Sequence, residues 1–311
     1  MTAGPTTFEI LPGFYFFQRG YLNANHFAYR SAHPVLIDTG YLGDWNTTDA
    51  LLTGLGLDLD RTALIINTHT HCDHIGGNHP IQIRSNCAIA LHPRGVGFMR
   101  NRDDRSSWWS FYHQEAAFFE PTESLADGQE IQVGPYVFEV IHTPGHASDG
   151  LVLFCRSRRI LLSSDTLWEN DFPVMTLAVE GAGAIETMRA SLNKIANLDV
   201  ERVFPGHGAP FDDFKPALER AMDRLERFRT DPQRVGWDLV KKIFVYTILM
   251  KRRVPRATFF EDLMATCWYP DTVDRYFSGD YRTVYDTVVS EFDRRRIICR
   301  QGKDWVTTVT P

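Results

Sequence analysis

The chain has 311 residues, of which 43% are hydrophobic and 23% are charged. This balance is typical of a folded globular protein and excludes a disordered tail or a fibrous repeat. The net charge of −6 is unevenly spread, because residues 1–210 hold 14 basic against 23 acidic side chains and residues 211–311 hold 19 against 16. An acidic first part disfavours a broad surface for nucleic acid there.

The sequence shows no sign of export or of membrane insertion. The most apolar run, residues 243–250, is bounded by charged residues and falls well short of the roughly 20 residues that span a bilayer. The first residues lack the apolar core of a signal peptide. Five widely spaced cysteines without a CxxC pair are unlike a disulfide framework and typical of a reducing compartment. We therefore expect a cytoplasmic protein with no membrane partner.

In chain order, short apolar runs separated by turn residues predict β-strands, several of them apolar on consecutive positions as in strands buried on both faces. These runs cover residues 14–17, 33–38, 63–66, 137–141, 151–154 and 160–162. Helical spacing of apolar residues appears between them, at residues 45–55, 105–119 and 184–197. Alternating strands and helices predict an α/β fold in which helices cover sheets.

After residue 210 the predicted strands stop. Helices are predicted at residues 215–229, 238–251, 258–266 and 281–295, with Pro232 and Gly236 as breaks. The end of the chain reads as two short strands around a turn at residues 301–303. We expect two domains, a catalytic α/β domain over residues 1–210 and a smaller helical, winged-helix-like domain over residues 211–311.

A dense group of imidazoles and one carboxylate follows the predicted strand at residues 63–66. It consists of His69, His71, Asp73 and His74. Alternation along an extended chain places His69 and His71 on one side, and the following turn can aim Asp73 and His74 at a neighbouring point. Two adjacent sets of metal ligands are the interpretation that this spacing favours. Cys72 lies within the motif, and we interpret it as a small buried hydrophobic residue.

Three later residues each follow an apolar run, where a strand would deliver them to the same edge of the sheets. They are His146 in a Pro-Gly-His turn, Asp165 in Ser-Ser-Asp-Thr and His207 in Pro-Gly-His-Gly. Each is a weak signal alone, since an aspartate after a strand is usually a cap. Together with the first motif they form a consistent set.

These residues make the sequence resemble the metallo-β-lactamase superfamily, whose HxHxDH signature stands here at residues 69–74, within a resemblance that covers about residues 8–210. The branch that it resembles includes glyoxalase II-like and β-lactamase-like protein 2-like members. The resemblance implies an αββα sandwich with one metal ion on His69, His71 and His146. A second ion would lie on Asp73, His74 and His207, with Asp165 reaching both.

The implied cofactor is a pair of Zn²⁺ ions, although ligands of this kind also accept Mn²⁺ or Fe²⁺. Two such ions would hold a bridging hydroxide at neutral pH, which would attack a carbonyl carbon. The resemblance places Asp73 as the catalytic residue that orients this nucleophile. We interpret Asp38 as a residue that orients a ligand histidine through a hydrogen bond.

Single residues discriminate among members of the superfamily. Asp165 stands where the commonest β-lactamases of this kind have cysteine, and His71 where flavodiiron proteins have glutamate, so neither activity is expected. The aromatic residues of the insert at residues 92–119, which we expect at the rim of the site, would instead favour an apolar acyl group on a small ester, thioester or lactone. The candidate substrate contacts are Trp108, Trp109, Phe111 and Tyr112.

Several alternatives stay open. The aromatic segment could equally pack the fold or form a homodimer contact, since adjacent tryptophans cannot both face inward from one helix. Basic clusters at residues 251–253 and 294–296 keep a metal-dependent endoribonuclease or phosphodiesterase as a second candidate. A non-catalytic regulatory protein and a mononuclear iron dioxygenase are further alternatives.

Overall fold

The fold is taken from a computed structural model, which describes residues 4–311. Two sheets form its centre, and a small third sheet lies near the end of the chain. The first sheet has the order β1-β2-β3-β4-β5-β6-β7, antiparallel up to β4 and parallel from there on. Its strands are β1 (Thr6–Leu11), β2 (Phe14–Gln18), β3 (His26–Tyr29), β4 (Val35–Ile37), β5 (Leu64–Ile66), β6 (Ala88–Leu91) and β7 (Glu123–Ser124).

The second sheet has the order β12-β11-β10-β9-β8, in which only the β11–β12 pair is parallel. Its strands are β8 (Glu130–Val133), β9 (Tyr136–His142), β10 (Leu151–Cys155), β11 (Ile160–Ser164) and β12 (Arg202–Pro205). The third sheet, β13-β15-β14, consists of β13 (Val254–Pro255), β14 (Ile298–Gln301) and β15 (Asp304–Thr307). The last two form the hairpin predicted at the end of the chain.

Helices cover the outer faces of both large sheets. Those before the second sheet are α1 (Trp45–Gly54), α2 (Cys72–Ile75), α3 (Asn78–Ser85), α4 (Pro93–Asn101) and α5 (Trp109–Tyr112). Two helices lie between β11 and β12, namely α6 (Leu177–Glu180) and α7 (Ala184–Ile195). The helices after β12 are α8 (Phe214–Thr230), α9 (Gln233–Lys251), α10 (Phe259–Met264), α11 (Trp268–Phe277) and α12 (Tyr281–Arg294). No helix between residues 4 and 311 is both long enough and apolar enough to cross a membrane.

Side-chain alternation along the strands explains the layers. In β2, Phe14 and Phe16 belong to a buried cluster shared with the second sheet, whereas Tyr15 and Phe17 belong to a cluster on the opposite face. Such alternation with period two lets one strand bury both faces. Strand β10 behaves in the same way, with Leu153 between the sheets. The result is the αββα sandwich that the resemblance implies.

The helical end of the chain packs on the first sheet. Val240 and Phe244 of α9 belong to the same buried cluster as Tyr15 and Phe17 of β2. Helix α8 instead belongs to the cluster that covers the second sheet, together with α7. The proposed division at residue 210 stays a prediction, but residues on both sides of it share their hydrophobic clusters.

Several local predictions differ from the structure. The helix predicted at residues 105–119 is reduced to the single turn α5, because Trp108 and His113 on either side of it have the left-handed φ angles of 71° and 53°. Gly236 does not break a helix but lies inside α9, where the side chain of Tyr276 packs so close that a β-carbon would not fit. Helix α11 was not predicted.

Candidate metal centre

The first group of predicted ligands gathers at the carboxyl end of β5. His69 and His71 follow this strand, and both are buried. The Nε2 atom of His69 lies 3.0 Å from Nδ1 of His71. His146, in the loop between β9 and β10, completes the set, since one ligand atom from each of the three residues lies within 4.8 Å of the others. Three imidazoles therefore face one point.

The second group lies beside it. Asp73 and His74 are on the short helix α2, and His207 follows the end of β12. One ligand atom from each of these residues lies within 4.8 Å of the others. The shortest contact joins Oδ2 of Asp73 to Nε2 of His207, at 3.1 Å.

Asp165 lies between the two groups, directly after β11. Its Oδ2 is 3.4 Å from Nε2 of His146, 3.7 Å from Nε2 of His74 and 3.9 Å from Nε2 of His207. The structure thus brings all seven predicted ligand residues into one cluster, with the carboxylate at its centre. Their binding of metal stays a prediction.

The donor set fits a pair of divalent cations. The Nε2 atoms of His74 and His146 are buried and have no hydrogen-bond partner among residues 4–311. Buried polar atoms left unpaired are costly, so native proteins rarely keep them. Imidazole and carboxylate ligands without thiolate suit Zn²⁺ and are also acceptable to Mn²⁺ or Fe²⁺. A cation on each side of Asp165 would satisfy these nitrogens.

Most ligand imidazoles are oriented through their second nitrogen, as metal-binding histidines usually are. Asp38 was predicted to serve in this way, and its Oδ2 lies 2.8 Å from Nδ1 of His74. The same carboxylate accepts hydrogen bonds from the amide and hydroxyl of Thr68, which fix its position. The carbonyl oxygen of Val174 lies 2.7 Å from Nδ1 of His146.

His71 is oriented differently. Its Nδ1 faces His69, and its Nε2 is buried with no hydrogen-bond partner in the described part of the chain. The indole of Trp108 lies against the imidazole instead, with ring centres 3.8 Å apart and planes inclined by 33°. The Nε1 of Trp108 donates a hydrogen bond of 2.9 Å to Glu180 on α6. A tilted ring in close contact therefore stands where other ligands have a hydrogen bond.

Burial and neighbouring charges set the protonation of the cluster. Burial, reinforced by the neighbouring imidazoles, lowers the pKa of His69 and of His71 well below the usual range and favours their neutral, ligating forms. Burial also acts against a charged His74, but the carboxylates of Asp38, Asp73 and Asp165 raise its pKa overall. Although burial opposes ionisation of Asp165, the facing imidazoles hold the pKa of this carboxyl well below its usual range.

A narrow cavity of about 60 Å³ opens onto the cluster. It has room for roughly four to six water-sized groups. Its apolar and aromatic walls are Tyr21, Trp108, Trp168, Val174, Ile243 and Tyr246. The last two belong to α9, and the hydroxyl of Tyr246 donates a hydrogen bond of 3.1 Å to the carbonyl oxygen of Leu22. Helix α9 therefore closes one side of the cavity over the predicted metal ligands.

Of the four aromatic residues predicted to contact substrate, the structure places Trp108 at this cavity and the other three in the hydrophobic core. Trp109 donates a hydrogen bond to the carbonyl oxygen of Thr70, and the hydroxyl of Tyr112 lies 2.6 Å from that of Thr176. The two adjacent tryptophans are both buried, contrary to expectation, because the left-handed backbone of Trp108 turns their side chains inward together.

Sequence reasoning missed the walls that α9 supplies. A partial signal was present in the sequence, since residues 243–250 form an almost wholly apolar run and a helix segment that is apolar on every side must pack on more than one face. This run does not tell a face that borders a cavity from a face in the core. Cys72 is fully buried as predicted, but it lies on α2 and not on an extended segment, with its sulfur 3.6 Å from the hydroxyl of Tyr246.

Two facing sheets flanked by helices, with five histidines and two aspartates at one edge, define the fold of a metallo-hydrolase. The chain belongs to the metallo-beta-lactamase superfamily, whose family model matches residues 27–207. The predictions of this family and of its α/β sandwich are confirmed.

Three curated relatives each match more than half of the chain. A beta-lactamase-like protein 2 homolog of Caenorhabditis elegans is 24% identical over 200 residues, or 63% of this chain and 57% of the relative. A probable metallo-hydrolase of Methanocaldococcus jannaschii is 29% identical over 181 residues, 56% of this chain and 82% of the relative. A human acyl-coenzyme A thioesterase is 26% identical over 201 residues, 57% of this chain and 70% of the relative. The match thus spans little more than half of the nematode protein.

Solved structures show the same fold over most of the chain. A metallo-beta-lactamase family protein from Thermus thermophilus superposes with a TM-score of 0.62 and 20% identity, covering 96% of this chain and all of that one. A beta-lactamase domain protein from Burkholderia ambifaria gives a TM-score of 0.63 at 17% identity, covering 78% of this chain and 84% of that one. At these identities the likeness concerns the fold alone.

Proposed function

We propose that the chain is a binuclear metal-dependent hydrolase of small carbonyl esters, and of acyl thioesters in particular, with zinc as its metal. The observation that carries the proposal is the pair of ligand sets joined by Asp165 at the floor of a narrow aromatic cavity. The names of two relatives point the same way, the human acyl-coenzyme A thioesterase and an atrochrysone carboxyl ACP thioesterase of Aspergillus fumigatus that is 25% identical over 198 residues.

The residues divide into two metal positions. One ion would lie on His69, His71 and His146 and the other on Asp73, His74 and His207, and Asp165 lies within reach of both. When bound, two divalent ions lower the pKa of coordinated water towards about 7 and polarise a carbonyl oxygen.

The chain's own groups then position the reactants. Asp73 lines the cavity. One of its carboxylate oxygens lies against His207, so the other can accept a hydrogen bond from the attacking water. The indole of Trp168 donates a hydrogen bond to Asp165 and holds that carboxylate in place. Apolar walls such as Ile243 hold a slender acyl chain and exclude bulk water. The oxygen of water bonds to the carbonyl carbon while Asp73 takes up one of the two protons of the water. The carbon–sulfur bond breaks, Asp73 passes its proton to the leaving thiolate, and the other proton stays on the carboxylic acid product.

The test combines metal analysis with a substrate panel. We expect about two metal ions per chain, hydrolysis of acyl-CoA thioesters and p-nitrophenyl esters, and loss of activity on chelation. Asp73→Asn should lower kcat at least 100-fold, since general-base positioning is worth about 10²–10⁴-fold. Asp286→Asn on α12 is the matched control and should leave kcat unchanged, since Asp286 is exposed and pairs with Arg282. A two-metal protein inactive on every ester and thioester would contradict the proposal.

The alternatives make different predictions. The basic clusters at residues 251–253 and 294–296 lie at the carboxyl ends of α9 and α12 and do not line the cavity over the ligands, which favours a carbonyl substrate over RNA. A regulatory protein would keep its biological effect in Asp73→Asn. One iron per chain would support the dioxygenase alternative instead.

A further inference from the structure

One larger cavity shares a wall with the small cavity over the metal ligands, and a second larger cavity shares walls with the first. The first, of about 260 Å³, shares Trp168 with the small cavity. The second, of about 480 Å³, shares Arg224 and Arg227 with the first. Through these shared walls the three cavities form a series that runs from the metal ligands along helices α8 and α9. We call the two larger cavities together the basic groove.

The chemistry of the walls changes along this series. Around the metal ligands they are mostly aromatic and apolar, with the single cation Lys242, whereas five cationic side chains line the basic groove. These are Arg220, Arg224, Arg227, Arg234 and Lys241, against the four carboxylates of Asp171, Asp223, Asp231 and Asp238. A ligand that fills the series would need an apolar reactive end and an anionic distal end.

The arginines differ in how far they are already paired. Arg224 is bound to Asp171 at 2.7 Å, and Arg234 to Asp231 at 3.0 Å. Arg227, by contrast, has no carboxylate within 4.0 Å among residues 4–311, although it lines both cavities of the groove. A guanidinium presents several donors in a plane that matches phosphate oxygens. Arg227 is therefore the cation most available to a phosphate.

Two further features suit a nucleotide-like group. The half-buried Trp237, whose ring packs against Phe277 at 4.5 Å, gives the groove an aromatic wall. The junction with the metal cavity is held by Lys242, which bonds the carbonyl oxygen of Phe172 and lies 3.1 Å from both Asp171 and Asp238. Small molecules bind preferentially in concave sites that combine aromatic walls with a few polar or charged groups, and the groove has both.

We propose that the basic groove binds the phosphate-bearing part of the substrate, so that the substrate is an acyl thioester of a phosphorylated, nucleotide-bearing thiol such as coenzyme A. This inference rests on the proposed thioesterase function. A cavity of about 60 Å³ can hold the thioester and a slender acyl group but not the bulk of the thiol carrier. The carrier must therefore lie outside it, and the groove is the adjoining space with the matching charge.

The test compares two thioesters that share a short acyl group, propanoyl-CoA and the propanoyl thioester of N-acetylcysteamine, which carries no phosphate. Arg227→Ala should raise KM for propanoyl-CoA about tenfold, the loss of one charge-assisted contact of about 1.4 kcal/mol. The same change should leave kcat, and both constants for the cysteamine thioester, unaltered. Arg229→Ala is the matched control, since Arg229 is on the same helix but is paired with Glu226 and does not line the groove.

A binding measurement separates this inference from the proposed function. Adenosine 3′,5′-bisphosphate, which lacks the thiol arm, should bind in calorimetry and bind about tenfold more weakly to Arg227→Ala. If it binds in this way but no thioester is hydrolysed, the groove is supported and the thioesterase function fails. Equal effects of Arg227→Ala on both thioesters, or no binding of the bisphosphate, would overturn the inference. A lower KM for acyl-carrier-protein thioesters, sensitive to Arg227→Ala, would overturn it in favour of a protein ligand.

Discussion

Replacing Trp108 by alanine should weaken metal binding at the first ligand set and leave the second set intact. His71 has no hydrogen bond to its buried Nε2 among residues 4–311, so the stacked indole of Trp108 is what holds the ring in its ligating orientation. The same indole lies 4.8 Å from the ring of His146, a second member of the set. The second set lies outside this contact, since His74 is held by Asp38.

The size of the effect follows from the contact. An aromatic pair contributes about 0.5–1.5 kcal/mol beyond its buried area. If this energy holds the imidazole ready for the metal, its loss raises the dissociation constant at the first position roughly two- to tenfold. Removing a buried indole also destabilises the fold by about 3–5 kcal/mol. Trp108→Phe keeps a stacked ring and is therefore the control, with metal affinity between those of wild type and Trp108→Ala.

Stepwise titration with Co²⁺ against a chromophoric chelator measures both constants, because each ligand set gives its own visible absorption. Thermal melting of the metal-free proteins reports the general loss of stability separately. An unchanged first constant in Trp108→Ala would refute the orienting role of the indole. A rise of both constants by the same factor would also refute it, since that result would indicate a general loosening of the fold.

Three further predictions follow from the site. Asp165→Ala should lower metal content, measured by mass spectrometry, more than Asp38→Ala does, because Asp165 faces three ligand imidazoles and Asp38 acts on one. Equal losses would contradict the central role of Asp165. Ile243→Trp should fill the cavity and lower kcat/KM at least tenfold with metal content unchanged; unaltered kinetics would place the substrate elsewhere. Burial, with the charge of Asp149, raises the pKa of Glu180 to about 7 from 4.5. A raised carboxyl pKa adds stability that is complete below about pH 4.5 and lost as the pH rises through about 7. The fall in Tm between pH 5 and pH 8 should therefore be smaller in Glu180→Gln than in the wild type. An identical fall in both proteins would assign this pH dependence to other groups.

The metal ligands could be found in the sequence because their placement is local. Each follows a strand that is recognisable by its apolar run, and the carboxyl ends of such strands meet at one edge of the sheets. His69 and His74 belong to one short motif, whereas Asp165 and His207 needed the resemblance to join them to it. The structure adds their distances, which no spacing along the chain could give.

The cavity walls could not be found in this way. Ile243 and Tyr246 lie beyond the last predicted ligand, on a helix whose apolar residues look the same whether they face a core or a substrate. The predicted helix at residues 105–119 failed for a different reason. Helical periodicity is judged from the spacing of apolar residues. It cannot predict a left-handed backbone conformation at a residue such as Trp108, because a tryptophan side chain does not favour that conformation.

Because α9 closes one side of the cavity, some of the residues that would select the substrate lie in a different part of the chain from those that would bind the metal. The groups that would bind metal lie between residues 69 and 207, whereas Ile243 and Tyr246 belong to a helix that provides no ligand. Substitutions in α9 can therefore reshape what enters without altering the ions or their nucleophile. Grafting this helix from one relative into another would be a direct route to exchanging substrates, provided that its opposite side still packs against the outer face of the first sheet.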